Sequence, residues 1–126
     1  MSVSQTVQLK AKHYLRIVKT DHLLWKWWLY NFMLGYHHIE EKDLADHHQC
    51  RLGTWYREVK GNPSISSLPA FQQLEEPHCR FHDIVREIYQ LVRAGRQQEA
   101  EAAYLSLEDI SALVLQKLDD LANCIR

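Results

Sequence analysis

Apolar residues recur at alternate steps of three and four along two long stretches of this chain, a spacing that lines one narrow stripe of a helix. In the first stretch the stripe is Leu15, Val18, His22, Trp25, Leu29, Phe32 and Tyr36, with Gly35 placed as a C-terminal cap. In the last it is Tyr104, Leu107, Ser111, Val114, Leu118, Leu121 and Ile125, broadened by Ala100, Ala103, Ile110 and Leu113. Between them, Leu44, His48, Leu52, Trp55 and Val59 share one face of a helical region from Glu40 to Val59. Phe81, Ile84, Val85, Ile88, Leu91 and Val92 do the same in a helix that begins at Pro77 and stops at Gly95. Gly61 to Pro69 carries turn formers and helix breakers and reads as a loop, followed by a short helix over residues 70–75. No stretch reads as a strand. The expected fold is all-α: an antiparallel four-helix bundle with an additional short helix. One domain over residues 1–126 is expected, with residues 1–17 as a helical connector to something upstream.

Composition narrows the function classes. Fifteen Lys and Arg against sixteen Asp and Glu nearly cancel, and neither sign forms a block. That argues against nucleic acid as a partner and against a polybasic membrane anchor. No apolar run is long enough to span a bilayer, so membrane insertion is not expected. Three cysteines, an odd number scattered among helical segments, favour a reducing, cytoplasmic setting over a disulfide framework. No nucleophile–base pair and no phosphate-binding glycine loop stands out, so an enzyme is not expected.

The unusual part of the composition is eight histidines and four tryptophans. His78 and His82 lie four residues apart, one above the other on a helix face, so both can reach one ion. His22 occupies a seam position between Val18 and Trp25, where a polar ring must find a partner. Cys50 stands three residues before Gly53, whose missing side chain leaves room beside the thiol. If these three segments converge in a bundle, three imidazoles and one thiolate make a closed tetrahedral set suited to zinc, with no open position for a bound water.

The same three segments resemble the chemoreceptor zinc-binding domain family. Its pattern is a His with an aromatic or apolar residue three positions on, then Cys-x-apolar-Gly-x-apolar, then His-x-x-x-His. Here the parts are His22 with Trp25, Cys50-Arg51-Leu52-Gly53-Thr54-Trp55, and His78 with His82. The flanking Asp21-His22-Leu23-Leu24-Trp25-Lys26 and Pro69-Ala70-Phe71 also look like the chemoreceptor branch. The resemblance implies an all-helical domain with one zinc held by His22, Cys50, His78 and His82, and Cys50 as the redox-sensing group. It further implies a sensory module of a bacterial cytoplasmic signalling protein, a chemotaxis receptor or a diguanylate cyclase. Such a module responds to zinc availability or to oxidation of the Cys by hypochlorous acid. A homodimer and an output domain in the same or a partner chain are the implied partners.

Other residues have plainer readings. Trp27 and Trp28 beside Trp25 spread round the helix, so one or both are expected on a dimer face. His13, His37, His38, His47 and His48 read as surface or packing residues, and Cys79 and Cys124 as bystander thiols. Asp21 and Asp46 are candidates to orient ligand imidazoles. Two alternatives stand beside the zinc reading. One is a hemerythrin-like di-iron bundle using His37-x-x-x-Glu41 with the other His pair; the other is a metal-free helical interaction module.

Overall fold

The computed structural model describes the backbone of residues 3–44 and 50–124, and the side chains of residues 12–44 and 50–124. Among these residues the chain is all-helical, with no strand. Helix α1 runs Val3–Met33, α2 Arg51–Val59, α3 Pro63–Ser66, α4 Pro69–Gln72, α5 Glu75–Arg93 and α6 Gln97–Cys124; a 3-10 turn spans Glu41–Asp43. Helix α1 continues well before Leu15, so the weakly patterned start is helical as expected.

The two glycines that close α1 and α5 act alike. Gly35 has φ +84° and Gly95 φ +75°. At each, the amide of the next residue reaches five residues back: Tyr36 N–H to Asn31 C=O at 2.8 Å, and Arg96 N–H to Leu91 C=O at 2.9 Å. This left-handed closure satisfies carbonyls that would otherwise face outward, and a side chain makes it costly. Because the chain leaves the helix here, Tyr36 falls off the predicted seam and is 74 % exposed.

Pairs of residues along the helices set their directions. Lys19 pairs with Asp119 at 3.0 Å, Tyr30 meets Tyr104, and Gln97 Nε2 donates to the Met33 carbonyl at 3.0 Å. Helices α1 and α6 are therefore antiparallel. Phe32 stacks on Tyr89 while His22 meets Phe81, so α1 and α5 run parallel. The three-residue link at Gly95 folds α6 back along α5. Leu15, Val18, Leu29, Phe81, Ile88, Leu107, Val114, Leu118 and Leu121 form the fully buried centre of this three-helix unit.

Four expected boundaries differ, the simplest being the short helix expected over residues 70–75, which is α4 at Pro69–Gln72 with Glu75 already in α5. The region from Glu40 to Val59 is not one helix: Asp43 Oδ2 accepts the Glu40 amide at 3.1 Å, closing a single turn, and Leu44 leaves it extended. Cys50 is also extended, so α2 begins only at Arg51. His48, assigned to the inward face of that region, lies outside the described residues, as does Ile125. The expected loop from Gly61 to Pro69 contains the one-turn helix α3, because Asn62 Oδ1 accepts from Ser64 N at 3.1 Å and Pro63 sits just inside the turn. Pro77 is the third residue of α5 rather than the first. It remains in the first turn, where its missing N–H costs no helical hydrogen bond.

Gly95→Ala is expected to lower stability by about 1 kcal/mol through backbone strain alone, since an added Cβ would meet nothing within 4 Å. Gly61 has equally open space but no positive φ, so Gly61→Ala should be neutral or stabilising. Urea unfolding of the two variants checks both; equal losses would mean that φ is not the cause.

Candidate metal centre

Four side chains from three elements meet beside the core. His22 points inward from the middle of α1 and is 4 % exposed; His78 and His82 project from successive turns of α5 at 1 % and 6 %. They are placed there because the buried face of α5 is His78, Phe81, His82, Val85, Ile88 and Tyr89. Both histidines lie within that buried face. Cys50 arrives differently. It is the N-cap of α2, and its Sγ accepts the Gly53 amide at 3.4 Å. The cap geometry, not a helical side-chain position, aims the sulfur.

One nitrogen or sulfur atom from each of His22, Cys50, His78 and His82 lies within 4.8 Å of the others. Cys50 Sγ and His78 Nε2 are 3.1 Å apart and share a hydrogen bond. Ligand atoms of a tetrahedral zinc site stand about 3.3–3.6 Å from one another, so side-chain adjustments of about an ångström convert one arrangement into the other. The donor set suits the ion: three imidazoles and a thiol, with no carboxylate among them. His22 Nδ1 is buried with no hydrogen-bond partner among the described residues. A buried polar atom left so is costly, and an ion among these atoms would satisfy it. Burial, followed by the neighbouring His82, pushes the His22 pKa down to about 4. Its ring is therefore neutral near pH 7, with a lone pair to give.

Phe81 completes the setting. It lies between the two histidines of α5 in sequence and stacks on the His22 ring at 4.8 Å and 13°. The sequence placed it in the apolar stripe without a site role; its position three residues after His78, on the same helix face, was the available signal. The N-terminus of α2 is tied to α1 through Arg51. The Arg51 guanidinium meets Asp21 at 3.4 Å, the Tyr14 hydroxyl donates to the Arg51 carbonyl at 3.3 Å, and Tyr14 stacks on Trp55. Asp21 is thus engaged with Arg51; Asp46 lies outside the described residues.

The other candidates stand apart. His37 is exposed against the Trp27 and Trp28 rings, and Glu41 is exposed on the 3-10 turn, so the His37/Glu41 pair does not join His78 and His82. His13 and His38 are exposed, whereas His47 and His48 are outside the described residues. Cys79 points away from the four, toward Asp83 at 3.9 Å; burial, then the Asp83 carboxylate, pushes its thiol pKa up. Cys124 is exposed. Trp27 and Trp28 are half exposed. No helix among the described residues is long and apolar enough to cross a membrane.

Residues 22–89, more than half of the chain, match the chemoreceptor zinc-binding domain family. The chain belongs to this family, and its His3Cys cluster is one that could hold a metal ion. Searches of curated proteins and of solved structures returned no match.

The His22 shift has a measurable consequence for the metal-free chain. The ring titrates near 4 when folded and near 6.5 when unfolded, so the unfolded state takes up its proton first as pH falls. Stability should be undiminished above pH 6.5 and fall by roughly 3 kcal/mol as the pH is lowered through 4. Urea titrations with chelator present, at several pH values, measure the slope. It should flatten in His22→Gln; an unchanged slope would place the titration elsewhere.

Proposed function

We propose that this chain is a zinc-binding sensory domain in which His22, Cys50, His78 and His82 hold one zinc ion, and that Cys50 is the group on which the signal acts. The observation that carries the reading is the convergence of these four donors, from three separate elements, within 4.8 Å of one another. Family membership supports it.

When bound, zinc would supply a positive centre that keeps the thiol deprotonated and ties α1, α2 and α5 together. The chain's own residues divide the remaining work. Two ligands one turn apart on α5 make a rigid half of the site. His22 brings α1 to it as a neutral imidazole, with Phe81 holding the ring plane. Cys50 brings α2, and the Gly53 amide keeps its sulfur aimed inward. Arg51, held by Asp21 and Tyr14, fixes where α2 starts. In this reading α2 takes the fourth place of an antiparallel four-helix bundle, with α3 and α4 as short additions, and residues 1–126 act as one domain.

The donor most open to chemical change is the thiolate. Hypochlorous acid would oxidise it by two electrons: the sulfur gains an S–O bond to give the sulfenic acid, and chloride leaves. That removes a strong ligand and frees α2 from the other helices. Loss of zinc from the surroundings has the same mechanical result. The output is then a signalling domain of a chemotaxis receptor or diguanylate cyclase, in a cytoplasmic setting. Leu23, Trp27, Tyr30 and Leu34, all about half exposed, follow each other by four, three and four along the outside of α1. That apolar stripe supports a homodimer.

Elemental analysis of the purified chain is the first test. About one zinc per chain, lost in His78→Ala/His82→Ala, is expected; no zinc after supplementation would overturn the reading, and about two irons would restore the di-iron alternative. Hypochlorous acid should release zinc from the wild type. Equal release from Cys50→Ala, in a preparation that still binds zinc, would remove Cys50 as the sensor. For the dimer, light scattering should report twice the chain mass, falling toward one in Trp27→Ser; a monomer at all concentrations rejects it.

A further inference from the structure

Beside the metal centre lies an open cavity of about 400 Å³, within the size range of small-molecule sites. Its walls are mostly apolar: Val18, Leu24, Trp25, Trp28, Leu52 and Phe81. His22, Cys50 and His82 line it as well, whereas His78 does not. The four donors are therefore unequal. One is sealed at the back of the cluster, and three face a space open to solvent.

The lining also says what the space can hold. The Trp25 and Trp28 rings meet edge to face at 6.3 Å and 76°, an arrangement that offers flat aromatic surface to a third ring. Of the three charged side chains at the rim, two neutralise each other and the third is the Asp43 carboxylate. Arg51 and Asp21 pair with each other at 3.4 Å, and Asp43 Oδ2 accepts the Glu40 amide at 3.1 Å. An anion entering the cavity would lose hydration and face the Asp43 carboxylate, with the one rim cation, Arg51, already paired to Asp21. An uncharged ring would gain apolar contact at no such cost.

We propose that this cavity is a binding site for a small, uncharged, planar molecule that packs on Trp25 and Trp28 and lies against the His22–Cys50–His82 side of the cluster. Its occupant covers the face through which reagents reach Cys50, so the domain has a second input beside the metal. The inference goes beyond the zinc reading, and its test does not depend on metal content.

Two dyes with one skeleton make the test: uncharged N-phenyl-1-naphthylamine and the anionic 1-anilinonaphthalene-8-sulfonate. Fluorescence titration of the whole chain, as purified, should show the uncharged dye binding one to one. The sulfonate should bind at least ten-fold more weakly. Leu24, half exposed on the wall, can be enlarged without entering the core. Leu24→Trp should weaken the uncharged dye at least five-fold with zinc content unchanged. Leu105→Ser, exposed on α6 and outside the cavity lining, should leave binding as it was. The same dye should slow modification of Cys50 by a maleimide in a Cys79→Ser/Cys124→Ser background. Equal affinity for both dyes, no binding of the uncharged dye, or loss of binding in Leu105→Ser but not in Leu24→Trp would each overturn the proposal. Zinc stoichiometry on the same samples reports separately on the zinc reading.

Discussion

Everything in this molecule is arranged around the burial of three imidazole rings in a helical core. An apolar residue at any of those positions would have stabilised the fold by burial alone. A ring nitrogen there loses water and must recover its interactions from the protein or from an ion. Some of that recovery is visible: His78 meets the Cys50 sulfur at 3.1 Å, and His22 lies flat on Phe81. For His22 Nδ1, the described residues offer no hydrogen bond. A site that is costly when empty and satisfied when filled links metal occupancy to packing, and a sensory domain requires that link.

The four donors are held with unequal firmness. The two histidines of α5 sit on a nineteen-residue helix packed along α6, and His22 on an even longer one. Cys50 sits where an extended segment becomes a nine-residue helix, and α2 is tied to α1 by an ion pair, one hydroxyl and a ring stack. Exposed ion pairs contribute little to stability on their own. Beyond those ties, α2 is held by the buried Leu52 and Trp55 and by Tyr56, which stacks on Phe71 at 4.0 Å and 6°. The cavity opens on the same side, so Cys50 faces it.

The helices were legible because they depend on short-range rules, and the donor set because its three short motifs resemble one family's pattern. Alternate steps of three and four put Leu15, Val18, Leu29, Leu107, Val114, Leu118 and Leu121 inside, and all seven are buried. Gly35 and Gly95 end their helices because only glycine takes a positive φ without strain. His78 and His82, at a separation of four, had to share a face once α5 was a helix. Periodicity failed where a side chain overrode it. The Asp43 turn broke the Glu40–Val59 helix, the Asn62 cap turned part of a loop into α3, and Tyr36 left its seam when Gly35 redirected the chain.

The sequence by itself determined most of the helical residues, where most helices stop, and which four side chains could hold a metal ion, since helices follow from neighbours a few positions apart and the four stand in three short motifs. Tertiary structure alone decided which residues of the long helices meet: Lys19 with Asp119, His22 with Phe81 and Phe32 with Tyr89. It also decided that Cys50 reaches the histidines as a helix cap, that Phe81 braces His22, and that Asp21 holds Arg51. Those outcomes depend on how helices far apart in the chain pack together, and no local spacing encodes the angle or depth of that packing.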